Sequence, residues 1–163
     1  MDFENLCNLI FAKLIQRLER NSGLFIFAKE RSKFEGWLKV ELCKILSGHF
    51  QAVLPEKNRI DITLDNWAIE LKTVNTNYRY KGVMNKTRPI TRNVKGVIED
   101  IEKLKSTRRY SNKAILFVVF PVTHNHKYWK KHLQAISAHL KKLKFKEFKF
   151  RNEIPGIIYF GLI

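Results

Sequence analysis

Acidic side chains are scarce in this chain. Aspartate and glutamate number 15 against 31 lysines and arginines, a formal charge of +16. That excess implies a polyanionic partner, and nucleic acid is the first candidate. A membrane surface is the rival, but no amphipathic helix carries a dedicated basic face. Cysteine is scarcer still, with two residues. Cys7 and Cys43 sit among apolar residues at helical spacing, which argues against a disulfide or a metal pair and for buried reduced thiols. Long hydrophobic runs are missing: the longest, Ala114 to Val122, is too short to span a bilayer as a helix. Met1 is followed by acidic Asp2 and Glu4, unlike the start of a secretory signal. A cytoplasmic protein with no membrane partner is expected. Linkers, repeats and low-complexity tracts are absent as well.

What is present is enough apolar material for one domain. The chain has 163 residues, 45% of them hydrophobic, so a real core can form but two comfortable domains cannot. The most informative stretch runs from Arg59 to Thr73. It reads as two alternating strands joined by a tight turn at Asp65-Asn66. Ile60, Ile62 and Leu64 share one face with Trp67, Ile69 and Leu71. Arg59, Asp61 and Thr63 share the other with Ala68, Glu70 and Lys72. A two-residue turn sets Leu64 against Trp67, Ile62 against Ile69 and Asp61 against Glu70. Facing residues have Cβ atoms about 5 Å apart, where like charges repel. Two carboxylates kept there suit a hard cation such as Mg²⁺ between them. Lys72 adds a positive charge on the same face.

Asp61, eight residues, then Glu70-Leu71-Lys72 resembles the signature of the PD-(D/E)xK nuclease superfamily, the restriction-endonuclease-like fold. Ile60 stands where the family name has proline. The resemblance implies that Asp61 and Glu70 bind the metal, with the Leu71 carbonyl as a further ligand. It implies that Lys72 orients the attacking water or stabilises developing charge. It also implies an additional metal-site glutamate on the preceding helix, for which Glu35 is the candidate. Ser32-Lys33-Phe34-Glu35 equally matches a capping box, in which Glu35 reaches back to the helix start; both readings stay open. The implied activity is a metal-dependent endonuclease using Mg²⁺, with Mn²⁺ as a substitute, and DNA ahead of RNA as substrate. The rival is a non-catalytic nucleic-acid-binding module that kept the fold. A homodimer is left open, since cutting two strands often takes two copies.

The remaining pattern predicts one α/β domain over 1–163: a mixed sheet flanked by helices on both faces, with its core at about 33–140. Helices are expected at 2–20, at 33–47 with Glu41 solvated or at the rim, from Asn93, and from Asn125 with Leu143 facing inward. Leu24 to Ala28 is unassigned. Phe50–Leu54, Ala114–Phe120, the Phe145–Phe150 region near an edge, and Gly156–Ile163 read as strands. Glu99, Asp100 and Glu102 read as a solvated face pairing with Lys103 and Lys105. Between Leu71 and Ile98 there is no acid, yet Arg79, Lys81, Lys86, Arg88 and Arg92 are present, with Tyr78 and Tyr80 alternating among them. This polar loop is expected to contact nucleic acid, the bases on phosphates and the tyrosines on nucleobases. His124, His126, His132 and His139 match no standard zinc spacing.

Binding should therefore be electrostatic and separable from chemistry. With EDTA present, affinity for a DNA oligonucleotide should fall by at least about tenfold between 50 and 200 mM salt, through counterion release. A fluorescence-anisotropy titration that is flat over this range would contradict it.

Overall fold

A computed structural model describes residues 1–85 and 88–163. Its centre is β4 (Asn112–Phe120), whose side chains from Ala114 onward are all buried. Such a continuous apolar strand needs cover on both faces. It pairs in parallel with β3 (Trp67–Asn75) and antiparallel with β6 (Ile154–Leu162). With β1 (Val53–Pro55), β2 (Ile62–Leu64) and β5 (Lys142–Phe150), these form one six-stranded mixed sheet in the order β1-β2-β3-β4-β6-β5.

One face packs on α1 (Phe3–Arg20), α2 (Ser22–Lys29) and α3 (Glu35–Leu46). The apolar stripe of α1, Leu6, Ile10, Leu14 and Leu18, is fully buried there. The other face packs on α4 (Ile90–Ser106) and α5 (Lys127–Ser137), through Val94, Val97, Ile101, Trp129 and Ile136. The result is a single α/β domain with helices on both sides of the sheet.

The hairpin has the register expected from its turn: Leu64 opposes Trp67 and Ile62 opposes Ile69. Asp65 takes the left-handed conformation, with φ of 44°, which aspartate tolerates in turns. The alternation fails at its start. Asn58 and Arg59 have φ of 57° and 61°, so the chain kinks before Asp61. Ile60 consequently joins the core under α4 rather than the one with Ile62 and Leu64. The face opposite Ile62 is not open to solvent either: Thr63, Ala68 and Glu70 are all buried.

Other boundaries shift for identifiable reasons. Leu24 to Ala28 lies in α2, started by the Asn21 side chain, which accepts from Leu24 N–H at 3.0 Å. Phe34, not a capping box, precedes α3. Asn93 lies inside α4, which begins after Pro89; its Nδ2 donates to the Asn75 carbonyl at 3.0 Å. Asn125 does not cap α5, which follows His126. Leu143 belongs to β5, the edge strand. Glu41, at the rim of the α3 core face, pairs with Arg17 of α1.

One buried cation shapes the segment after β3. Arg31 is 1% exposed and has a φ of 52°. Its Nε donates to the Met84 carbonyl and its Nη1 to the Thr76 carbonyl, each at 2.5 Å, and its Nη2 donates to the Tyr78 carbonyl. Its own carbonyl accepts from Asn75 Nδ2 at 2.6 Å. Residues 76–84 are thus held against α2 by a planar donor fork that lysine or glutamine could not reproduce. Arg31→Gln should cost about 2–4 kcal/mol in a urea melt, because these carbonyls would lose a charged donor. It should also raise amide exchange between Thr76 and Val83. A loss below about 0.5 kcal/mol would show that Arg31 does not hold the segment.

Candidate active site

The hairpin register carries Asp61 to Glu70 at the sheet surface. Glu70 is 4% exposed, since β3 is an interior strand covered by α4. The two carboxyls interact directly, and Glu70 keeps the proton. Burial chiefly, and then Asp61, push the Glu70 carboxyl up to about 7 from the usual 4.5. Burial works the same way on Asp61, but is outweighed. Lys39, the Leu71 N–H and the Glu70 proton together hold it below the ordinary carboxylate range. Leu71 N–H donates to Asp61 Oδ2 at 2.8 Å and Lys39 Nζ lies 2.7 Å from Oδ1.

Three lysines attend these acids. Lys39 comes from α3 and bridges Asp61 to Glu56. Lys103 of α4 lies 3.1 Å from Glu70 Oε1 and donates to the Arg59 carbonyl at 2.8 Å. Lys72, two residues beyond Glu70 on β3, lies 2.6 Å from Asp100 Oδ2. Burial opposes its charge, but the Asp100 hydrogen bond prevails, and Glu35 and Asp61 add to it, so Lys72 stays protonated beyond its usual range.

Glu35 sits in the first turn of α3, one helical turn before Lys39, so both project from one side of the helix. Its Oε1 accepts from Thr73 N–H at 3.0 Å. The glutamate reaches across to β3 instead of back to its own helix start. It is not gathered with Asp61 and Glu70. Among the described residues no three metal-ligating side chains converge. The donor chemistry nonetheless fits a hard divalent ion. Asp61 and Glu70 are oxygen donors squeezed around one proton, and Mg²⁺ is commonly held by one or two carboxylates plus substrate phosphates.

Several residues were not visible as site residues in the sequence. Asp100 is not on a solvated face but holds Lys72, and Lys103 pairs with Glu70 rather than with a neighbour on its own helix. Their only signal was position: both lie on the helix that crosses back over β3. Lys39 had none.

The basic loop divides. Arg88 and Arg92 line a groove of about 1000 Å³ whose wall includes Lys72. Arg79 and Lys81 are exposed but are not part of that lining. Lys86 lies outside the described residues. The tyrosines are occupied. Tyr78 stacks on His126 with ring centroids 4.0 Å apart, and the Tyr80 hydroxyl donates to the Glu153 carbonyl at 3.2 Å. Of the histidines, His124 stacks on Phe145 and His139 pairs with Glu102.

No family model, no curated protein and no solved structure matches the chain.

The Glu70 carboxyl makes a pH test available. A carboxyl whose folded pKa is raised binds its proton more tightly in the native state. It therefore contributes stability that is full below the unfolded value of 4.5 and is lost as pH rises through about 7. Metal-free protein should thus lose stability as pH rises between these values, and Glu70→Gln should flatten that slope. Urea melts across this window in EDTA check it; an identical slope in the variant would show that Glu70 does not carry the proton.

Proposed function

We propose that the protein is a metal-dependent nuclease, hydrolysing phosphodiesters in DNA ahead of RNA, with a restriction-endonuclease-like core. The observation that carries this reading is the Asp61–Glu70 pair, two carboxyls brought together by the hairpin register with Glu70 buried, and a lysine held by Asp100 two residues on along the same strand. An ordinary structural strand has no use for that arrangement, since like charges on facing positions are destabilising. The same residues carry the motif that resembles the PD-(D/E)xK signature.

In this reading Asp61, Glu70 and the Leu71 carbonyl would hold Mg²⁺ or Mn²⁺, while Glu35, turned to the Thr73 N–H, stands outside that set. The ion would polarise the phosphodiester, help generate hydroxide and stabilise the leaving oxygen. Lys72, kept charged by Asp100, places an ammonium where negative charge grows on the phosphate. Asp100 is a positioning residue, acting through Lys72.

A second reading has one observation in its favour. Asp61 and Lys72 are already ion-paired, with Lys39 and Asp100, and Glu70 lies 3.1 Å from Lys103. A nucleic-acid-binding module without chemistry could use the same residues as structural pairs.

Plasmid nicking with Mg²⁺, Mn²⁺ or EDTA separates the two. The nuclease reading requires nicking in either metal and none in EDTA. Asp61→Asn and Glu70→Gln should abolish it. Lys72→Ala should slow it about 10²–10³-fold, the typical cost of removing one donor to developing charge. Asp100→Asn should slow it about 10–100-fold, as for groups that orient a reacting residue. Metal-independent background activity in all four variants, equal to the parent, would leave only the binding module.

A further inference from the structure

Lys39 holds a position that the nuclease reading leaves unused. It follows buried Leu38 on α3, and its side chain is 18% exposed. Its ammonium bridges two carboxylates of one short turn: Asp61, with Nζ 2.7 Å from Oδ1, and Glu56. The turn is closed on itself, since Glu56 N–H donates to the Asp61 carbonyl at 3.0 Å. Glu56 takes the left-handed conformation there, with φ of 58°.

The two carboxylates are unequal. The Glu56 side chain is 74% exposed and that of Asp61 25%. Water and salt screen the first pair, so it is worth little. The second is less screened and correspondingly stronger. The two Asp61 oxygens are unequal as well. Oδ2 accepts from Leu71 N–H at 2.8 Å. Lys39 stands on Oδ1, the oxygen that the backbone leaves over.

We infer that Lys39 sets the affinity of the Asp61–Glu70 site for a divalent ion: it competes for Asp61 Oδ1 and shifts to Glu56 when it yields that oxygen. The inference rests on the metal site of the nuclease reading. Glu56 makes the exchange possible. The ammonium gives up one carboxylate and keeps the other, so it is never a half-buried charge without a partner. Lys103, beside Glu70, has no such second carboxylate among the described residues; its other partner is the Arg59 carbonyl. A lysine that only braced the turn would give a different result, because its loss would bring no gain in metal affinity.

The test is a Mn²⁺ titration of the full chain without nucleic acid, read by electron paramagnetic resonance of the free ion. Lys39→Met keeps the apolar stem and removes the charge. It should bind Mn²⁺ at least about fivefold tighter than the parent, the lower end of usual couplings between two sites. Glu56→Gln should bind it more weakly, because Lys39 then loses its second carboxylate. In the Lys39→Met background the same change should add nothing, since Glu56 acts through Lys39. Lys146→Met, on β5 at the far edge of the sheet, removes an equal charge and should bind like the parent. A Lys39→Met protein that binds no tighter overturns the inference and leaves the nuclease reading standing. So does a Glu56→Gln protein that binds like the parent, or one weakened equally in both backgrounds; this exposed change tests the idea even if Lys39→Met does not fold. Mn²⁺ binding that responds to Lys39 in a protein that nicks no plasmid sustains the inference and removes the nuclease reading. A parent that binds no Mn²⁺, or binds it no better than Asp61→Asn, removes both.

Discussion

The two-residue turn at Asp65 and Asn66 pairs Leu64 with Trp67, and that pairing brings Asp61 beside Glu70. A slip of one residue would turn Ile62, Leu64, Trp67 and Ile69 out of the α1–α3 core, so the hydrophobic pattern guards the register. The carboxyls come together because separating them would expose that core. Their repulsion is met by removing charge: Glu70 keeps a proton and Asp61 takes hydrogen bonds from Leu71 and Lys39. Asp61 also has a structural use in the metal-free protein. Its carboxylate satisfies a backbone N–H and a lysine, both of which would lose a charged partner.

Helices from opposite faces of the sheet complete the charge pattern. From one side α3 contributes Glu35 and Lys39; from the other α4 contributes Asp100 and Lys103. Glu35, Glu56, Asp61, Glu70 and Asp100 meet three lysines there, so most of the negative charge is offset. Such balance allows Glu70 to be buried without the cost of an isolated charge. In the proposed nuclease, a divalent ion held by Asp61 and Glu70 would compete with the proton and with Lys39 and Lys103 for the same oxygens. Release of those lysines would leave two ammoniums facing an anionic substrate.

The hairpin from Ile62 onward, the buried strand β4 and the long helices were legible because their apolar periods are unbroken. The elements that the sequence concealed are those fixed by single polar contacts. α2 has apolar residues almost throughout and so shows no amphipathic stripe; it starts on the Asn21 side chain. The kink at Asn58 and Arg59 left no pattern, and Ile60 crosses to the other core in consequence. At the site, Asp61, Glu70 and Lys72 could be found because they share one hairpin, where spacing dictates neighbours. Lys39, Asp100 and Lys103 could not, because their partners lie 22, 28 and 33 positions away; for the last two those separations are set by the crossover through α4. Glu35 shows the limit of a local motif. Ser32 and Glu35 had capping-box spacing, yet a strand N–H on β3 offered the glutamate a buried partner instead.

The charge of the chain has two uses, which composition alone could not separate. Lys142, Lys144, Lys146 and Lys149 lie along β5, an edge strand whose outer backbone groups would otherwise invite another sheet to pair. Lys142 and Lys144 also reach Glu4 of α1, tying the edge back to the domain. Those lysines serve the fold, and any polyanion they attract is incidental. The groove cations have no such structural role. Lys33, Arg88 and Arg92 have no acidic partner among the described residues and line a concave wall instead of an edge. Unpaired charges of one sign around a cleft raise the local potential, which low-dielectric walls then focus. The positive charge of the chain is thus spread along an edge on β5 and gathered around a concavity beside Lys72.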